Sequence, residues 1–112
     1  ANLQILVEGP TEEVFVKNCL TPYLATRGVY LAKPKIVETK RVLDGPNHKG
    51  GSVTLEKLVP QLKALLRSGA WVTTMFDFYG CSWRQGCGNG DELEAMLKQK
   101  LDDHSKFLPY IQ

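Results

Sequence analysis

Three acids are the residues best placed for chemistry. Glu8 directly follows the apolar run Leu3 to Val7 and is itself followed by Gly9-Pro10; Glu12 comes one helical turn later; Asp77 directly follows the run Ala70 to Phe76. Asp is depleted from strands, and an acid set immediately after a buried strand has no propensity reason to be there. Carboxylates that converge without His or Cys neighbours form a hard oxygen set suited to Mg²⁺ or Mn²⁺. An ion held there can polarise a phosphoryl oxygen and activate a water for attack. Two of the acids also have plainer readings. Glu12 suits the first turn of a helix, where the dipole favours negative charge, as well as it suits support of a metal. Asp77 could simply end its strand in a turn. For Glu8 function is the stronger reading.

Other groups could serve the same chemistry. Lys33, Lys35, Lys40, Arg41 and Lys49 face only Glu38 and Asp44 within one stretch, which makes either a phosphate-facing edge or a solvated surface. Lys40, Arg41 and Lys49 are the expected phosphate-positioning residues, and Gly50-Gly51 either adds backbone N–H donors before the next helix or is a plain connector. The pattern Gly-x-x-x-x-Gly-Lys-Ser/Thr is missing, which excludes a nucleotide-hydrolysing P-loop. Cys81 and Cys87 with His48 or His104 make a poor metal set, because loop cysteines six residues apart are more often unrelated. Trp83 and Arg84 could stack on a base or cover a pocket, or sit at a partner interface.

The elements that must position these groups alternate. Leu3 to Val7 is apolar on both faces and predicts a central strand. Thr11 is the expected N-cap of a helix running to about Thr26, with Glu12 and Glu13 in its first turn and Pro22 dividing or bending it. Tyr30 to Glu38 predicts a second strand broken by Pro34. Asp44 to Ser52 is dense in turn residues and predicts a loop. Leu55, Leu58, Leu62, Leu65 and Leu66 recur at helical spacing around Pro60, and Gly69 ends that helix. Ala70 to Phe76 predicts a third strand, Gly80 to Gly90 a mobile loop, and Asp91 the cap of a third helix with its stripe at Leu93, Met96, Leu97 and Leu101. Phe107 to Ile111 predicts a last strand. The order β-α-β-α-β-α-β predicts an α/β fold with a mostly parallel four-stranded sheet flanked by helices, whose C-terminal strand edge gathers Glu8, Glu12 and Asp77.

Composition bounds the rest. The 112 residues, 43% hydrophobic and 23% charged, fit one domain over residues 1–112. No apolar run approaches the roughly 20 residues of a membrane helix, and the first residues lack the pattern of a secretory signal. Three cysteines without Cys-x-x-Cys spacing point to a reduced, cytoplasmic setting and not to a disulfide scaffold or a four-ligand zinc site. A net charge of +2, spread evenly over both halves, is too small to mark a nucleic-acid binder by bulk electrostatics.

Several segments carry a resemblance. Leu6-Val7-Glu8-Gly9-Pro10-Thr11-Glu12-Glu13-Val14-Phe15, then Leu20-Thr21-Pro22-Tyr23-Leu24 and Arg27-Gly28-Val29, resemble the opening of an uncharacterised TOPRIM-like family. Thr73 to Gly80, Gly50-Gly51 and Phe107 to Gln112 fit the same family. The resemblance implies the TOPRIM fold of topoisomerases, bacterial primases and overcoming-lysogenization-defect nucleases, which act on phosphodiesters with Mg²⁺. It implies Glu8 as the acid after the first strand, serving as general base or metal ligand, and Asp77 as the first acid of an Asp-x-Asp pair. The second position is Tyr79, a departure that leaves Glu12 or a more distant acid to complete the site. Nucleic acid is the implied substrate, with small phosphate esters as an alternative that would need a closed pocket. A second reading keeps the fold without catalysis, as an interaction module working with a partner ATPase. The resemblance also implies that the chain is the N-terminal part of a longer protein, and it sets a Phe-Pro-Gly-like stretch where Cys81 to Gly86 stands.

Overall fold

The computed structural model describes residues 2–37, 54–84 and 86–112. Its first strand, β1 (Asn2–Val7), carries Ile5, Leu6 and Val7, each almost fully buried, so that both faces of the strand are covered as its unbroken apolar run predicts. The chain then enters α1 (Pro10–Phe15), whose N-cap is Gly9 and not Thr11. Proline fits the first turn because its missing N–H has no partner there in any case, and the helix starts two residues earlier than expected.

The single helix expected up to Thr26 is divided. α1 passes into a π-helical segment, Val16–Leu20, and then into α2 (Thr21–Ala25), with Pro22 in the first turn of α2. Proline has no N–H to give the carbonyl four residues back, and its ring crowds that carbonyl. The preceding turn widens, and the Thr21 N–H donates to the Val16 carbonyl, five residues back.

Pro34 divides the second expected strand into β2 (Tyr30–Leu31) and β3 (Lys35–Ile36), both parallel to β1 on its same side. Among the described residues there are therefore five strands where four were predicted. α3 (Leu55–Leu66) starts at Thr54, whose side chain accepts the Lys57 N–H, and holds the exposed Pro60 inside it while Leu58, Leu62 and Leu66 point into the core. Gly69, at φ +87°, ends the connection in a conformation that favours glycine. β4 (Trp71–Met75) pairs in parallel with β1 from Leu3↔Trp71 to Val7↔Met75. A 3₁₀ turn, Phe78–Gly80, follows Asp77.

The Gly80 to Gly90 stretch, predicted as a mobile loop, contributes side chains to the core. Cys81 and Trp83 are buried, and the Trp83 ring meets Phe76 edge-on at 6.0 Å. Trp83 is thus core, neither a base-stacking group nor a partner contact. α4 (Gly90–Lys100) is capped by Asn89, not Asp91: the Asn89 side chain accepts the Glu92 N–H at 2.9 Å while Glu92 Oε1 accepts the Gly88 N–H at 2.7 Å. β5 (Phe107–Leu108) pairs in parallel with β4, and beyond Pro109 a single bridge joins Phe76 to Ile111.

The described strands form one parallel sheet in the order β2–β1–β4–β5, with β3 also on β1. α3 and α4 cover one face through Leu6, Val72, Phe76 and Phe107. The helix after β1 covers the other through Val16 and Leu20 against Ile5, Val7, Leu31, Ile36 and Met75. The α/β class and parallel sheet flanked by helices agree with the sequence reading. Among the described residues, no helix is long and apolar enough to cross a membrane.

Candidate functional site

β1 and β4 are neighbours, yet the helix that follows β1 lies on one face of the sheet and the helix that follows β4 lies on the other. The two connections therefore diverge beyond the C-terminal ends of these strands, the position where open α/β sheets bind ligands. Glu8 and Asp77 are the residues standing there, because Val7 and Met75 are paired as the last rung of the ladder.

The two acids are tied together. The Asp77 N–H donates to Glu8 Oε1 at 3.4 Å, and Asp77 Oδ1 in turn accepts the Tyr79 N–H at 3.2 Å, which starts the 3₁₀ turn. Among the described residues, no donor reaches Glu8 Oε2 or Asp77 Oδ2. Gly80 closes over the pair from the far side of the turn. A Cβ at that position would stand 3.3 Å from Glu8 Oε2, a tight contact that the glycine spares the carboxylate.

The electrostatics record the convergence. Partial burial holds the Glu8 carboxyl above the usual carboxylate range; the Asp77 N–H opposes this, while the charges of Glu12 and Asp77 add to it. Glu12, in the first turn of α1, therefore does act on Glu8. Cys81 lies beneath: its thiol donates to the Asp77 carbonyl at 3.2 Å, and burial, with the charges of Glu8 and Asp77, pushes it up to about 12. It is a neutral wall of the site and not a nucleophile.

Arg84 fixes the turn. Its Nη1 donates to the carbonyls of Phe78 (3.2 Å) and Tyr79 (3.3 Å), and its guanidinium lies 5.1 Å from the centre of the Phe78 ring. The site thus gains Gly80, Cys81 and Arg84 as residues that shape it. Gly80, three residues after Asp77, was the one signal in the sequence that could have pointed to them. Lys40, Arg41, Lys49, Gly50 and Gly51 lie outside the described residues.

Among the described residues, no group of three or more His, Cys, Asp and Glu side chains is gathered closely enough to hold a metal by itself. Two carboxylates are nonetheless a fitting set for Mg²⁺, which keeps several waters and is commonly held by one or two carboxylates together with substrate phosphates. The unpartnered oxygens of Glu8 and Asp77 have the right chemistry for it. A cleft of about 610 Å³ lies at the opposite, N-terminal edge of the sheet, lined in part by Asn2, Gln4, Tyr30, Trp71 and Lys106. It holds no acid, so the geometry of pockets and the chemistry of side chains point to different edges. The C-terminal edge is the candidate site, since two converging carboxylates mark it and volume alone does not mark the other.

No curated protein and no solved structure matches the chain. The sequence model of a family described as a domain of unknown function, DUF4276, matches residues 7–112, from the last residue of β1 through the acids and β5, and the chain belongs to that family.

Proposed function

We propose that the chain is a metal-dependent phosphodiester-cleaving domain of TOPRIM-like topology, acting on DNA or RNA in the cytoplasm. The observation that carries this reading is the pair Glu8 and Asp77, brought from adjacent parallel strands to the divergence of their connections and joined by the Asp77 N–H. Mg²⁺ or Mn²⁺ bound there would supply charge to a phosphoryl oxygen and acidify the attacking water. Asp77 presents Oδ2 as a ligand, while its other oxygen holds the turn. Glu8 presents Oε2 as a ligand or as the acceptor of the water's proton, and its elevated pKa moves it toward the working range of a general base. Glu12 adds negative charge that favours the cation. Lys40, Arg41 and Lys49, with Gly50 and Gly51, hold the phosphate. Glu8→Gln and Asp77→Asn should each abolish Mn²⁺-dependent cleavage of nucleic acid while leaving the melting temperature near that of wild type. Unchanged cleavage in both variants sinks the reading.

Tyr79 supports a second reading. With an aromatic residue where the resemblance sets the second acid, the domain would act as an interaction module beside a partner ATPase. Calorimetric titration with Mn²⁺ separates the two: saturable binding that Asp77→Asn removes supports the cleavage reading, and no binding at millimolar metal supports the module.

A further inference from the structure

Tyr79 is 83% exposed, whereas Phe78, Cys81 and Trp83 around it are buried. A lone exposed aromatic is ordinary by itself, and what distinguishes Tyr79 is its place on a fixed turn beside the two acids. Its N–H donates to Asp77 Oδ1, its carbonyl accepts from Arg84, and the turn is anchored by the Phe78 N–H donating to the Gln112 carbonyl at 2.9 Å. Its ring meets the Phe78 ring at 5.2 Å and 80°, a perpendicular contact that leaves most of the tyrosine surface in water. The ring is therefore held out from a fixed turn, two residues from the acid that faces the phosphodiester.

We propose that Tyr79 is the stacking platform for a base of a single-stranded nucleic acid whose phosphodiester lies at Glu8 and Asp77. This rests on the cleavage reading above and adds the substrate's form to it. Single strands expose unstacked bases, every base offers a π-face, and an aromatic ring beside the phosphate track gains affinity without reading sequence. The chain's net charge of only +2 gives weak bulk attraction to a polyanion, so a stacking contribution stands out when strands with and without bases are compared. Phe78 and Trp83, the neighbouring aromatics, are buried and cannot serve.

The test measures fluorescence anisotropy of a labelled oligothymidylate, and of an abasic strand of equal length and charge, with Ca²⁺ in place of the catalytic ion. Wild type should bind the oligothymidylate about tenfold more tightly than the abasic strand; Tyr79→Ala should lose that preference and Tyr79→Phe should keep it, with all three proteins melting together. Equal binding of the two strands by wild type, or an unchanged preference in Tyr79→Ala, overturns the proposal. So does binding of neither strand, which also removes nucleic acid as the substrate. If stacking fails while Glu8→Gln still abolishes Mn²⁺-dependent cleavage, the platform alone is lost and the cleavage reading stands.

Discussion

At the scale of single residues, the site depends on a side chain that is absent. Gly80 has ordinary backbone angles, so alanine is compatible with the turn, but the added Cβ would press on Glu8 Oε2 at 3.3 Å. The carboxylate would have to give by a few tenths of an ångström, which disturbs the already long contact in which Oε1 accepts the Asp77 N–H at 3.4 Å. Gly80→Ala should therefore keep the fold and weaken Mn²⁺ binding about tenfold, the usual scale for disturbing the support of a metal ligand. Calorimetry alongside thermal melting checks this; unchanged affinity would mean that Oε2 is not a ligand. Of this site the sequence made the positions of Glu8 and Asp77 legible, because each acid follows a buried run whose parallel pairing sets both at one edge of the sheet. Trp83 misled for an equally physical reason. Tryptophan is amphipathic and sits among glycines, and the Phe76 ring that buries it belongs to the sheet, which only the folded chain brings near.

Elements were legible where burial is regular and obscure where a proline intervenes. β1, β4 and the leucine stripe of α3 each carry a period long enough to show in the chain, whereas β2 and β3 have two residues apiece, too few for alternation to be seen. The π-helical turn before Pro22 is a local answer to a missing donor, which no periodicity encodes. The cap of α4 could have been found, since Asn89 stands three residues before Glu92, the spacing of a reciprocal cap. Pro109 poses the same difficulty at the last strand. Parallel pairing lapses there, and Thr74, 1% exposed, spans the gap: its hydroxyl accepts the Tyr110 N–H and donates to the Tyr110 carbonyl, both at 2.9 Å. Thr74→Val keeps the shape and strands both groups, so it should cost about 1–3 kcal/mol. Denaturant unfolding measures this, with Thr74→Ser expected to retain most of the stability. A loss below about 0.5 kcal/mol in Thr74→Val would show that water replaces the hydroxyl without cost.

For the whole molecule, the site and the stability of the fold are linked through one proton. The native Glu8 carboxyl binds its proton more tightly than the unfolded chain does, because burial and the neighbouring acids disfavour its charge. Its contribution to stability is therefore fully present below the ordinary carboxylate range and is lost as pH rises through the native value. A divalent cation needs the deprotonated form and so reverses this trend, stabilising the protein where the metal-free fold has been weakened. In metal-free buffer at neutral pH, Glu8→Gln should be more stable than wild type by about 0.5 kcal/mol, since the amide still accepts the Asp77 N–H without carrying charge. In acid, below the ordinary carboxylate range, the two should converge. With Mn²⁺ at about 100 times its dissociation constant the order should invert: wild type gains about 2.7 kcal/mol at neutral pH, the gain fades as pH falls through the native Glu8 value, and Glu8→Gln gains little at any pH. Thermal melts of both proteins across pH, with and without Mn²⁺, test the inversion. Equal stabilisation of the two would mean that the metal binds elsewhere, and the acids beyond β1 and β4 would then be a strained pair without a ligand.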